Sequence, residues 1–280
     1  MLQKIFSGFI LLASSWGLLL VSSSQLSAHE FWLEPINYKI EAGKALRAHE
    51  KVGQEFKGNK YAYLTSSYES LDLSINDKSR AVKSRLGDMP AVSEVVNEEG
   101  LAILSAVTTP SDVSYKTWEE FSDFIKSKGL DWVLAEHKKR KLPENNFTES
   151  YRRYAKSLIK VGHGKGSDRA LGLVFEWVLE TNPYSSSKNG DDKAIKAQLL
   201  WKGKPHPNAH VSVFNKVNGE IIKSELITDS EGRVEIPRAK GGQFLINAVH
   251  MIVAPDKMKA EKNAVWESRW ASITYELLVN

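Results

Sequence analysis

From about residue 191 to its end the chain repeats one pattern: short apolar runs of strand length, each stopped by a turn signal. "KAIKAQLLW", "AHVSVFN", "EIIKSELITD", "GRVEIP", "GGQFLINAVHMIV" and "SRWASITYELLV" follow one another at short intervals. Strands at such spacing bury their apolar faces against a second sheet, so the pattern predicts an antiparallel β-sandwich. The period of two puts Val211 and Val213 on one strand face with Ala209. It puts Phe244, Ile246, Ala248 and His250 on one face of another strand. The last run ends in apolar residues and must pair within a sheet, or its edge would lie open.

The first half is also β in pattern. "HEFWLEP", "ALRAHEKVG", "KYAYLTSSY" and "LAILSAVTT" cluster β-formers between turn residues from His29 to about Tyr115. The period then changes. Trp118, Phe121, Phe124 and Ile125 recur at helical spacing, and "DWVLAEHKKRKLP" reads as a second short helix closed by Pro143. "NNFTESYRRYAKSLIKVG" gives a third, with Asn146 as cap, Glu149 three residues on, and Phe147, Tyr151, Tyr154, Leu158 and Ile159 as its stripe. "LGLVFEWVLE" reads as a buried strand before the turn-rich "TNPYSSSKNGDD". The expected architecture is mainly β: two antiparallel β-sandwich-like units with a helical insertion between them. The expected boundaries are 29–115 for the N-terminal β unit, 116–163 for the insertion, 164–190 for a strand and linker, and 191–280 for the C-terminal sandwich.

Residues 1–28 carry a lysine near the start, an apolar run "IFSGFILLASSWGLLLV" and the small-residue stretch "SSSQLSA". That is the layout of a secretory signal peptide, with a cut expected after Ala28. A retained anchor is the rival reading, since the run is almost long enough to span a bilayer. The chain has no cysteine, which suits a bacterial periplasm for a protein large enough to rely on its core. Lys+Arg number 38 and Asp+Glu 34, with no long basic tract, so nucleic acid is not an expected partner.

A cut after Ala28 would give His29 a free α-amine beside its imidazole. Both are neutral nitrogen donors near neutral pH, and together they can chelate nickel, cobalt, copper or zinc in preference to calcium or magnesium. Seven histidines occur: His29, His49, His137, His163, His206, His210 and His250. His137 in "AEHKKRK" and His163 in "VGHGKG" read as solvated. His206 and His210 have the spacing of a helical pair, but Pro205 and Pro207 rule a helix out. His250 closes an apolar strand face, where its imidazole needs a hydrogen-bond partner or a metal. No nucleophile elbow, H-E-x-x-H helix or Walker loop is present, so no enzyme is expected. The eight tryptophans lie in apolar segments and read mostly as core.

In order along the chain, "AHEFWLEP", "KVGQEFKGNKYAY", "ESYRRYAKSLI", "ETNPY", "LLWKGKPHPNAHVSVFN", "TDSEGRVEIP", "GGQFLINAVH" and "WESRWASITYEL" resemble the bacterial periplasmic family described as the periplasmic component of a cobalt or nickel transport system. Much of that family is classed as a domain of unknown function, and its transport label comes from similarity to a nickel-transport accessory component. The resemblance implies a periplasmic protein that binds or delivers a divalent transition metal, nickel or cobalt before copper or zinc, to an inner-membrane importer. It places the family's opening histidine–acid–aromatic–tryptophan motif on His29, Glu30, Phe31 and Trp32, and its later strand histidine on His250. His29 and His250 are therefore the expected metal ligands. The segment from Gly203 to Pro237 also resembles carboxypeptidase-regulatory or transthyretin-like sandwich modules. Two other functions stay open: a structural or carbohydrate-binding sandwich without metal, and a copper oxidase-type site at the N-terminal histidine.

Overall fold

The computed structural model describes residues 29–185, 194–238 and 241–277; the expected signal peptide and its cut lie outside them. In chain order the strands are β1 (Glu30–Pro35), β2 (Lys39–Ile40), β3 (Lys44–Gln54), β4 (Lys57–Tyr61), β5 (Tyr68–Ile75) and β6 (Lys78–Ala81). Then come β7 (Val92–Val96), β8 (Gly100–Thr108), β9 (Ser111–Tyr115), β10 (Phe147–Val161), β11 (Phe175–Leu179) and β12 (Ala194–Trp201). The last six are β13 (Lys204–Pro205), β14 (His210–Val217), β15 (Glu220–Ile227), β16 (Arg233–Pro237), β17 (Gly242–Val253) and β18 (Ala264–Leu277). Helices α1 (Trp118–Ser127), α2 (Trp132–Lys139) and α3 (Asp256–Lys262) are short. The protein is mainly β, as its alternation and turn signals predict.

The described strands form three sheets. A ten-stranded sheet runs β15-β14-β17-β18-β10-β8-β5-β6, with β2 and β9 also pairing β10. Smaller sheets of four strands cover its opposite faces. One runs β1-β3-β4 with β7 on β3, and the other runs β11-β12-β13 with β16 on β12. Alternation along the large sheet feeds two cores. Ala102 and Leu104 of β8 pack with Phe31, Leu33, Leu46 and Val92 of the first small sheet. Leu101 and Ile103, one residue out of phase, pack with Phe175, Trp177, Ile195 and Val234 of the other. A one-residue slip would exchange the two sets, so register is fixed from both sides. Val211 and Val213 lie opposite Ala248 and Ile246 on the second of these faces.

The third expected helix is instead β10, a strand of fifteen residues at the centre of the large sheet. It pairs β18 in parallel, and β9 and β8 antiparallel. Its apparent helical stripe divides between two faces: Phe147, Tyr151 and Ile159 go one way, Tyr154 and Leu158 the other. A strand buried on both faces has no polar side to betray its period. Asn146 has φ of 54°, a left-handed turn residue rather than the extended conformation of a helix cap. The insertion's helical content reduces to α1 and α2. Thr117 caps α1 by accepting from the Glu120 amide at 3.4 Å, and Glu120 Oε2 accepts from the Lys116 amide at 2.9 Å, a reciprocal cap. The two helices lie beside the first small sheet and bury Phe121, Phe124, Ile125 and Val133 against Trp266 and Trp270. The expected sandwich units thus share one continuous sheet, whose strands come from both units and from the segment between them.

Candidate metal centre

The covering sheet β11-β12-β13 ends, at one rim, in a tight reversal. Lys202 and Gly203 both have positive φ, 51° and 74°, as a two-residue hairpin turn of the twisted kind requires. The turn carries the chain back along β12, pairing Leu200 with Pro205. His206 follows, with its amide donating to the Leu199 carbonyl at 2.9 Å and its carbonyl accepting from Thr228 Oγ1 at 2.8 Å. Its backbone is thereby fixed over the large sheet. Gly232 closes in behind: a Cβ there would stand 2.7 Å from the His206 nitrogen.

From the large sheet, β17 presents His250 to the same place. The rings of His206 and His250 meet edge to face at 83°, centroids 4.6 Å apart. Trp201 lies 4.3 Å from His250, and Phe175 lies 5.6 Å from His206 and 5.9 Å from His250. Both histidines are half-buried. Burial pushes His250 down to about 4, aided by His206, Arg269 and Lys202, and burial lowers His206 as well. Both rings are therefore neutral at neutral pH, each with a lone pair on one nitrogen. An ion about 2 Å from one nitrogen of each ring would hold the rings at a separation of this size.

Arg269 lies directly across β18 from His250. It is neutralised by the buried Glu267 and donates to Tyr154 Oη at 2.6 Å. Among the described residues no group of three or more histidines, cysteines or carboxylates is placed to hold an ion. The protein would supply two donors here, leaving the other coordination positions to water or a ligand. Surface clefts of about 420 and 370 Å³ lie elsewhere and contain no histidine.

His29 is not part of this arrangement. Its carbonyl accepts from Arg153 Nε and Nη2 at 3.2 and 3.0 Å. Arg153 belongs to the face of β10 opposite Tyr154 and Leu158. On that same face, Ser272 and Thr274 hold the Phe31 and Leu33 carbonyls of β1 at 2.7 Å. The ten-stranded sheet stands between His29 and His250, so one ion with bonds of about 2 Å cannot take both. The expected sharing of one ion by His29 and His250 therefore does not fit the structure, which brings His206 rather than His29 to His250. Next to His29, Glu30 is buried, bonded to Lys128 Nζ at 2.7 Å and to the Glu55 amide at 2.9 Å.

The remaining histidines divide by environment. His137 is fully buried, not solvated as expected. Trp266 Nε1 donates to its Nδ1 and its Nε2 donates to the Pro143 carbonyl, both at 2.9 Å. Both nitrogens are thus occupied. His163 is exposed and accepts from the Lys165 amide at 2.9 Å. His210 turns to Glu225 at 3.3 Å rather than to His206. His49 holds a buried Nδ1 without a partner, and burial lowers its pKa. Trp32, Trp177, Trp266 and Trp270 are core residues, while Trp132 is half exposed and meets Trp266 edge-on at 84°. Trp118 and Trp201 are half-buried, against Phe121 and Phe175. No helix among the described residues is long and apolar enough to cross a membrane.

A family model described as Domain of unknown function (DUF4198) matches residues 26–252, ending before β18. No curated protein matches. A solved structure described as "tetra-tandem repeat in extending region of large adhesion protein" aligns at 9% identity and a TM-score of 0.22. The alignment covers 91% of this chain and 50% of that one, so the chain spans about half the length of that structure.

Proposed function

The chain belongs to the family described as a domain of unknown function (DUF4198), and we propose that it is an exported, non-enzymatic protein that binds a divalent transition-metal ion. The observation that carries this reading is the contact of the His206 and His250 rings at 4.6 Å in a half-buried aromatic recess. Two neutral imidazoles favour nickel, cobalt, copper or zinc over calcium or magnesium. Nickel and cobalt are the preferred cargoes, an inner-membrane importer the preferred recipient, and the periplasm the setting. The first two rest on the sequence resemblance, and the periplasm also on the signal-peptide layout and the lack of cysteine.

The test is calorimetric titration of the processed protein with each of the four ions, beside His206→Ala and His250→Ala. Stoichiometric binding that weakens at least about tenfold, or 1.4 kcal/mol, in each variant is the expected result. Wild-type binding that survives both substitutions overturns the assignment. A second reading keeps His29 as a separate amine–imidazole chelate on the other face, where Arg153 fixes its backbone through the carbonyl. A one-residue extension blocking the amine would abolish that chelate and leave the His206–His250 centre unchanged.

A further inference from the structure

The composition of the recess bears on the form in which an ion would enter it. Its walls are aromatic, Phe175 and Trp201, and its donors are two uncharged rings. The fixed charges around it are cationic or already neutralised. Arg269 is paired with Glu267. Lys202 stands over the Trp201 ring, Nζ 5.2 Å from its centroid, and makes no ion pair among the described residues. Among the described residues no carboxylate joins the two histidines as a ligand. A bare dication placed there would meet neutral donors and, at the Trp201 ring, the exposed charge of Lys202, with no carboxylate ligand among the described residues to offset its own.

We infer that the centre receives its metal as an anionic carboxylate chelate, with His206 and His250 filling two coordination positions and a carboxylate of the chelator facing Lys202. This rests on the metal-binding reading above and names the chemical class of its ligand. The coordination positions left open by two protein donors are then filled by the chelator's own oxygens. Trp201 and Phe175 offer ring faces to its carbon skeleton, and Lys202 supplies the charge that distinguishes the complex from the hydrated ion.

The experiment is equilibrium dialysis with three probes: nickel chloride in a non-coordinating buffer, preformed nickel–citrate, and citrate alone, with retained nickel and citrate both counted. Wild-type protein is expected to retain nickel and citrate together, with an affinity at least tenfold above that for the hydrated ion. Lys202→Asn is the informative variant, because asparagine tolerates the left-handed backbone at that turn and carries no charge. It should lose several-fold in affinity for nickel–citrate and hold or gain affinity for the hydrated ion, whose repulsion it removes. His250→Ala should lose both. Nickel bound through His250 but stripped by citrate would overturn the chelate inference and leave metal binding intact. Equal retention of citrate without nickel would overturn it in favour of a plain anion site. Failure to retain nickel in either form would overturn both readings.

Discussion

Lys156 and Asp168 form a 2.7 Å ion pair whose side chains are 1% and 0% exposed. Lys156 Nζ also donates to the Trp177 and Arg169 carbonyls at 2.8 and 3.0 Å, while Asp168 accepts from the Leu179 amide at 2.8 Å. The pair therefore ties the middle of β10 to β11 and to the segment leading into it. Removing one partner leaves an uncompensated buried charge, which costs about 3–5 kcal/mol. Asp168→Ala should lose stability on that scale in urea unfolding, and the double change Lys156→Met, Asp168→Leu should recover most of it. Equal losses in both variants would show that the contact geometry, not the buried charge, dominates.

Glu149 sits wholly buried between Tyr115, which donates at 2.8 Å, and Ser268, which donates to it while accepting from Trp270 Nε1 at 2.9 Å. Burial pushes its carboxyl up to about 7, against the hydrogen bonds and the Arg153 charge that pull it down. A carboxyl raised on folding holds its proton more tightly in the native state. Its contribution is full below the ordinary value near 4.5 and is lost as pH rises through about 7. Glu149→Gln stays neutral throughout. Wild type should therefore lose on the order of 3 kcal/mol relative to the variant between about pH 4 and 8. Parallel stability curves for the two proteins would rule out the raised carboxyl. The difference curve is the readout because lowered histidines such as His137 act in the opposite sense in both.

Hydrogen exchange separates a strand from a helix at residues 147–161 by where protection ends. As the central strand of ten, β10 should exchange only on global unfolding from Tyr154 to Ile159, with the amides of β18 protected to the same degree. A surface helix would fray independently of the C-terminal residues. Losing protection in β10 together with α1 and α2, whose core includes Trp266 and Trp270, in a chain ending before Ala264 is the outcome expected of the shared sheet.

An ion that binds only the native state adds stability as RT ln(1 + [L]/Kd), about 2.7 kcal/mol at a hundredfold excess over Kd. Nickel should accordingly shift the urea midpoint of the wild type upward and leave that of His250→Ala in place. A shift of equal size in both proteins would locate the stabilising ion elsewhere.

The β class and most strand positions are legible because turn residues punctuate runs that alternate or stay apolar. β14, β16 and β17 sit where their patterns put them, and α1 is announced by the helical spacing of Trp118, Phe121, Phe124 and Ile125. β10 is misread because Tyr151 and Tyr154, or Leu158 and Ile159, satisfy a helical stripe while facing opposite cores. The three-layer arrangement is not legible at all, since nothing local says that Leu101 and Ala102 meet different sheets. His250 stands out by ending an apolar face. Its partner does not: His206 is 44 positions away in an irregular proline-flanked segment, and only the hairpin at Lys202–Gly203 delivers it. His137 misleads through its basic neighbours, which lie around the helix while the ring itself points inward.

The parallel pairing of β10 with β18 has a temporal consequence. Ser157 and Thr274, hydrogen-bonded at 2.8 Å, are separated by 117 positions, and nearly the whole second half of the chain intervenes. Contacts so distant in sequence make folding slow. A chain emerging N-terminus first, from a ribosome or through a narrow channel, would hold one flank of β10 open until β18 arrived. Until then its apolar edge is a surface for a chaperone or for aggregation. The same arrangement keeps β10 and the strands before it from locking until the last strand of the chain has arrived.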